Sequence, residues 1–165
     1  MLFHLLHFIV SLANGQLQTG VAYDAALSIR DVALEEKPLL HVTCASCATD
    51  DERETYDRKA SACLASVWFY RESAYDPTAI GDGGTSFGLP QLKAQHAPIT
   101  EVSLDLIRTD RKESARAGFR LLRHEIKRCG GVVSGLGAYA SGKCGGAKEK
   151  VEARLRLAKE CWTGL

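Results

Sequence analysis

Long hydrophobic runs are missing from this 165-residue sequence. The apolar stretch from Leu2 to Val10 falls well short of the roughly 20 residues that a membrane-crossing helix needs, so no stable membrane span is expected. Sustained period-two alternation is missing as well, which argues against an architecture of half-buried strands. Charge of one sign is in no excess, with 21 Lys and Arg against 20 Asp and Glu. No general basic field is therefore available to attract nucleic acid. The basic residues gathered between 108 and 128 alternate with apolar ones at helical spacing and read as a solvated helix face. Metal-ligand clusters are wanting too. Cys44-x-x-Cys47 could be half of a zinc site, but no second closely spaced Cys or His pair follows it. His4 and His7, one helical turn apart, have no third ligand nearby.

What is present points to one exported, mainly helical domain. Six cysteines in a chain of this size favour an oxidising compartment, with three disulfides possible among fifteen connectivities. Ser11-Leu12-Ala13 follows the first apolar run as a small-x-small triplet, so residues 1–13 read as a secretory leader. No Lys or Arg precedes the run, and the alternative is a buried first helix. The domain proper is placed at 20–165. Helical periodicity predicts helices over 22–36, about 52–74, about 112–128 and about 147–162, with an apolar segment over 132–140 and an irregular stretch over 96–110. The cluster Thr49-Asp50-Asp51-Glu52 suits the positive end of the second helix.

Two adjoining stretches carry the chemistry. Glu72 lies one turn beyond Trp68 and Phe69, on or beside the buried face of its helix. A carboxyl held against aromatic rings is poorly solvated when charged and can act as a general acid; the plain alternative is a surface glutamate near a helix end. Pro77 ends that helix, and Gly81-Asp82-Gly83-Gly84-Thr85-Ser86-Phe87-Gly88 has too many glycines for helix or strand. It is expected to be a loop in which backbone approaches a ligand closely. Gln91 then offers an amide donor and an acceptor, and Pro90 suits the first turn of a short helix.

Glu72-Ser73, then Gly88-Leu89-Pro90-Gln91, then Ala138-Tyr139-Ala140-Ser141-Gly142 resemble, in order and spacing, the motifs of the soluble (SLT-type) lytic transglycosylases. Gly118-Phe119-Arg120-Leu121-Leu122 matches a glycine-led helix of that family, and the resemblance covers roughly residues 60–145. It implies a mainly α, lysozyme-like domain, related to goose-type lysozymes, with a glycine-rich active-site loop. It also implies cleavage of peptidoglycan glycan strands by a monomeric exported enzyme, periplasmic or extracellular and possible in a phage setting, with no cofactor and no metal. Glu72 would be the single catalytic acid/base, Gln91 and Tyr139 would bind the sugar chain, and Ser73 would brace the motif.

Two departures from that pattern matter. The family's Ser-Pro-x-Gly-Ala is replaced by Gly81–Phe87, leaving Ser86 as the candidate for the sugar contact of the missing serine. Asp82 resembles the aspartate of a Gly-Asp-x-Gly stretch in goose-type lysozymes, where it helps place an attacking water. As a possible second carboxylate it would make the enzyme a hydrolase, although in a plainer reading it is a turn former. Lys93 stands where those lysozymes carry a further aspartate, which favours the transglycosylase. Within this picture Cys129 pairs with Cys144, Cys63 with Cys161 and Cys44 with Cys47. A non-catalytic glycan-binding module would keep the fold and lose the glutamate, but Glu72 is present.

Overall fold

A computed structural model of the chain describes residues 2–12 and 19–164. Within them the order is α1 (Leu2–Leu12), α2 (Thr19–Glu35), α3 (Asp50–Ser73), β1 (Ile80–Gly81), β2 (Ser86–Phe87), β3 (Leu92–Lys93), a 3-10 turn (Ala94–His96), α4 (Ala97–Thr100), α5 (Leu104–Thr109), α6 (Arg111–Arg128), α7 (Val132–Ser141) and α8 (Lys148–Thr163). The domain is mainly helical, as its periodicity predicts. The strands form a small antiparallel sheet in the order β1-β2-β3, pairing Ile80 with Phe87, Gly81 with Ser86 and Phe87 with Leu92. Three details differ from expectation. The ends of the glycine-rich stretch pair as strands, because the hairpin returns residues 86–87 beside 80–81. Pro90 lies in the turn between β2 and β3, and the irregular stretch holds the short helices α4 and α5.

Helix α3 is the central element. Every residue from Ala60 to Phe69 is buried, so this half of the helix is enclosed on all sides, as expected of a helix apolar all round. Ser61 and Ser66 interrupt the apolar run, and their hydroxyls donate to the carbonyls of Asp57 and Ala62 at 2.7 and 2.8 Å. No polar group is left bare by those two serines. At its exposed start, Thr49 and Glu52 form a reciprocal capping box, worth about 1 kcal/mol. Side chains of α3 also hold the connection from α2: Ser61 accepts from the Leu39 amide at 2.8 Å, and Asp57 accepts from Val42 N and faces His41.

Around α3 stand α1, α2 and α8. Leu5 and Ile9 of α1 are fully buried, the arrangement that the buried-helix alternative describes. Ala13, the last residue of the candidate cleavage triplet, lies outside the described residues. No described helix is long and apolar enough to cross a membrane. All six cysteines are paired, Cys44 with Cys47, Cys63 with Cys161 and Cys129 with Cys144. The Cys44-x-x-Cys47 thiols are thus spent on each other. In the chain-entropy account, closing the 98-residue separation of Cys63 and Cys161 stabilises by about 4–5 kcal/mol.

The basic side of α6 is a correction. Arg116, Arg120 and Arg123 do not form a solvated face; they converge on Glu36, just past the end of α2, at 3.5, 2.9 and 3.0 Å. Only 11% of the Glu36 side chain is exposed. Arg58 completes the junction by donating to the carbonyls of Ala33, Leu34 and Glu36, which satisfies the open carbonyl end of α2.

Burial pushes the Glu36 carboxyl up, but the hydrogen bonds from Arg120 and Arg123 outweigh it and hold the group below its usual range. A depressed carboxyl stabilises the fold fully above its unfolded pKa, and the contribution is lost as pH falls through the folded value. Glu36→Gln is expected to lower stability at neutral pH by about 2 kcal/mol, or about 4–8 °C in Tm. The gap from wild type should close as pH is lowered below the carboxylate range, read by thermal unfolding across pH.

Candidate active site

Glu72 sits in the last turn of α3, where the buried core gives way to a cleft. The helix stops at Ser73, before Pro77 can act, because Ala74 and Tyr75 both turn left-handed, at φ 50° and 64°. For residues with a side chain this costs about 1–2 kcal/mol each. Tyr75 offsets it by folding back into the core, fully buried, with its hydroxyl on the Ser66 carbonyl at 2.8 Å. The abrupt ending leaves Glu72 at the cleft instead of continuing the helix past it.

The glycine-rich hairpin builds the facing rim. Asp82 at its tip has φ 50°, followed by Gly83 and Gly84 at 66° and 96°. Ser86, 1% exposed, donates to Asp82 Oδ2 at 2.8 Å, and Lys93 Nζ lies 3.6 Å from the same oxygen. Ser86 therefore bears on the cleft through Asp82. Gln91, also left-handed at φ 48°, donates its amide to the carbonyls of Ala79 and Gly88 at 3.1 and 3.0 Å. With both N–H groups engaged, the Gln91 amide offers the cleft its Oε1 as an acceptor. Such strain at several positions around one cleft is typical of functional sites.

Helices α6 and α7 supply the third wall, brought close by glycine. A Cβ at Gly118 would meet the Phe69 ring at 2.5 Å and Pro90 at 2.9 Å; one at Gly135 would meet the Ile126 backbone at 2.3 Å. This closeness lets the Tyr139 hydroxyl donate to the Pro90 carbonyl, tying α7 to the turn that carries Gln91. The Cys129–Cys144 disulfide brackets α7 at both ends. Burial first, then the Glu72 charge, raise the Tyr139 phenol well above its ordinary range, with Arg154 acting the other way. Tyr139 accordingly stays a neutral donor.

The cleft between these walls has a volume of about 790 Å³. Glu72, Asp82, Gln91 and Tyr139 all line it, whereas Ser86 does not. Four lining residues went unnoticed in the sequence as site residues: Gln95, His96, Glu125 and Arg128. Glu125 is held by Arg128 at 2.9 Å, and burial lowers the His96 imidazole below its usual value, with Glu125 opposing and Lys93 assisting. Glu125 and Arg128 on a helical face, and Gln95 and His96 in a short polar stretch, give no chemical signal. The purely aromatic setting expected for Glu72 is also incomplete. Arg154 Nη1 of α8 contacts Glu72 Oε1 at 2.6 Å, and its guanidinium lies over the Trp68 ring, 4.7 Å from the centroid. Among the described residues no cluster of three or more His, Cys, Asp or Glu is placed to hold a metal ion.

A family model described as the Transglycosylase SLT domain matches residues 52–160, from the first turn of α3 to the last turn of α8 and more than half of the chain. No curated protein and no solved structure matches.

A Cβ at Gly81 would fall 2.1 Å from Gln91 Oε1, and the side-chain end can move away. Gly81→Ala is therefore expected to shift the Gln91 amide off its two carbonyl acceptors at a cost of about 1 kcal/mol. The expected readout is a kcat/KM on peptidoglycan about tenfold below wild type, with Tm lowered by about 2–4 °C.

Proposed function

Because the chain belongs to the transglycosylase SLT family, whose members act on peptidoglycan outside the cytoplasm, we propose that it is a lytic transglycosylase with Glu72 as its single acid/base. Its target is the β-1,4 bond between N-acetylmuramic acid and N-acetylglucosamine. One observation carries the reading: Glu72, Gln91 and Tyr139, from three motifs far apart in the chain, line a single cleft. Three disulfides fit an exported protein. In this reading the domain works in the periplasm or outside the cell.

The reaction needs one carboxyl that first gives and then takes a proton. Protonated Glu72 delivers its proton to the glycosidic oxygen as the bond from that oxygen to C1 of the muramic sugar breaks. The 6-hydroxyl of the same sugar then closes onto C1, and its proton passes to the Glu72 carboxylate. A 1,6-anhydro ring forms, no water is consumed, and Glu72 ends as it began. Gln91 Oε1 accepts from a sugar hydroxyl or N-acetyl amide, while Tyr139 offers its ring edge and holds the Gln91 turn. Hydrolysis would instead require Asp82 to place a water, and Asp82 is engaged by Ser86 and Lys93.

Mass spectrometry of muropeptides released from purified peptidoglycan tests the proposal. Wild type is expected to yield products lighter than hydrolytic ones by one water, and Glu72→Gln to release none. Reducing-end products would instead assign the reaction to the Glu72 and Asp82 pair. Binding of peptidoglycan without any release by wild type would leave a glycan-binding module.

A further inference from the structure

The partner of Glu72 is a residue that the reaction scheme does not use. Arg154 donates to Glu72 Oε1 at 2.6 Å, yet it is not among the residues lining the cleft. It stands behind the carboxyl, with 13% of its side chain exposed, stacked over the buried Trp68 ring, which Tyr139 meets edge-on at 6.5 Å. A guanidinium only donates hydrogen bonds and keeps its charge. While Arg154 occupies a lone pair of Oε1, the proton of the acid form belongs on Oε2, which has no hydrogen bond among the described residues.

Two helices hold this contact in place. Glu72 follows Cys63 by nine residues on α3, and Arg154 precedes Cys161 by seven on α8. The two helices therefore run antiparallel and are cross-linked about 10–14 Å from the ion pair. The guanidinium of Arg154 lies over Trp68, and the helix that carries it is fixed to α3 by the disulfide.

Resting on the reading of Glu72 as the acid/base, we propose that Arg154 is its positioning residue: by engaging Oε1 from behind the cleft, it assigns proton transfer to Oε2 and stabilises the carboxylate left after the proton has gone. The bonds made and broken are those of the scheme above, and Arg154 neither gains nor loses a proton.

Steady-state kinetics on soluble glycan strands from peptidoglycan, with thermal unfolding of each variant, tests the proposal. Arg154→Met keeps a long unbranched side chain beside Trp68 and removes the donor. Its kcat is expected to fall about 100-fold with KM within about twofold of wild type, and Arg154→Lys to regain kcat to within about tenfold of wild type. Wild-type kcat in a folded Arg154→Met, or an equal loss in the Met and Lys variants, overturns the proposal. If the Met variant does not fold, Arg154→Lys and Arg154→Gln decide: a higher kcat for Lys supports the role, and equal values overturn it. Glu72→Gln separates the two claims. Its full activity would overturn the acid/base reading and the proposal with it. An inactive Glu72→Gln beside a fully active Arg154→Met would overturn the role of Arg154 alone.

Discussion

The structure depends on a helix that has no solvent face for ten residues. Between Ala60 and Phe69 every side of α3 is covered, so neighbouring elements must arrange themselves around it. Burying apolar surface at about 25 cal/mol per Å² supplies the drive. The two serines within the run spend their hydroxyls on their own helix, and no polar group of theirs competes. A helix confined this way cannot rotate or slide without exposing Trp68 or Phe69. The residue at its exit, Glu72, is placed with the rigidity of the core itself.

Everything else near the cleft is a way of bringing backbone to that fixed point. The left-handed pair Ala74 and Tyr75 stops the helix. Gly118 lets α6 lie against Phe69 and Pro90, and Gly135 lets α7 lie against α6. The bond from Tyr139 to the Pro90 carbonyl then couples α7 to the Gln91 turn. Each contact is short because a side chain is absent, so the walls of the cleft are set by sterics more than by attraction. Polar groups on the rim are held by the protein before any ligand arrives: Gln91 by two carbonyls, Asp82 by Ser86 and Lys93. A preorganised site of this kind loses little order on binding.

Charge plays two distinct parts. Far from the cleft, Glu36 gathers Arg116, Arg120 and Arg123 and so joins the end of α2 to α6. At the cleft, Arg154 and Glu72 join α8 to α3, beside a disulfide between the same helices. Both contacts bring together groups about eighty residues apart. The first explains why the basic side of α6 is not free to attract an anionic polymer, and the second brings α8, within the matched residues, to the cleft.

Much was legible in the sequence by itself: the helical class, the capping of α3 by the Thr49–Glu52 cluster and the three motifs around Glu72, Gln91 and Tyr139. Those signals are local, in periodicity, capping chemistry and short patterns, which act within a few residues and survive without a partner. Only the tertiary structure decided the rest. Arg154 and the Glu36 cluster carry no local mark, because an arginine on a helix looks the same whether it meets water or a carboxylate from a distant segment. The short strands of the hairpin were hidden for a related reason: two-residue strands have no alternation to read, and their pairing follows from the path of the turn. That Gln91 offers its oxygen and not its N–H groups, and that Ser86 faces Asp82 instead of the cleft, depends on which carbonyls and carboxylates the fold places beside them.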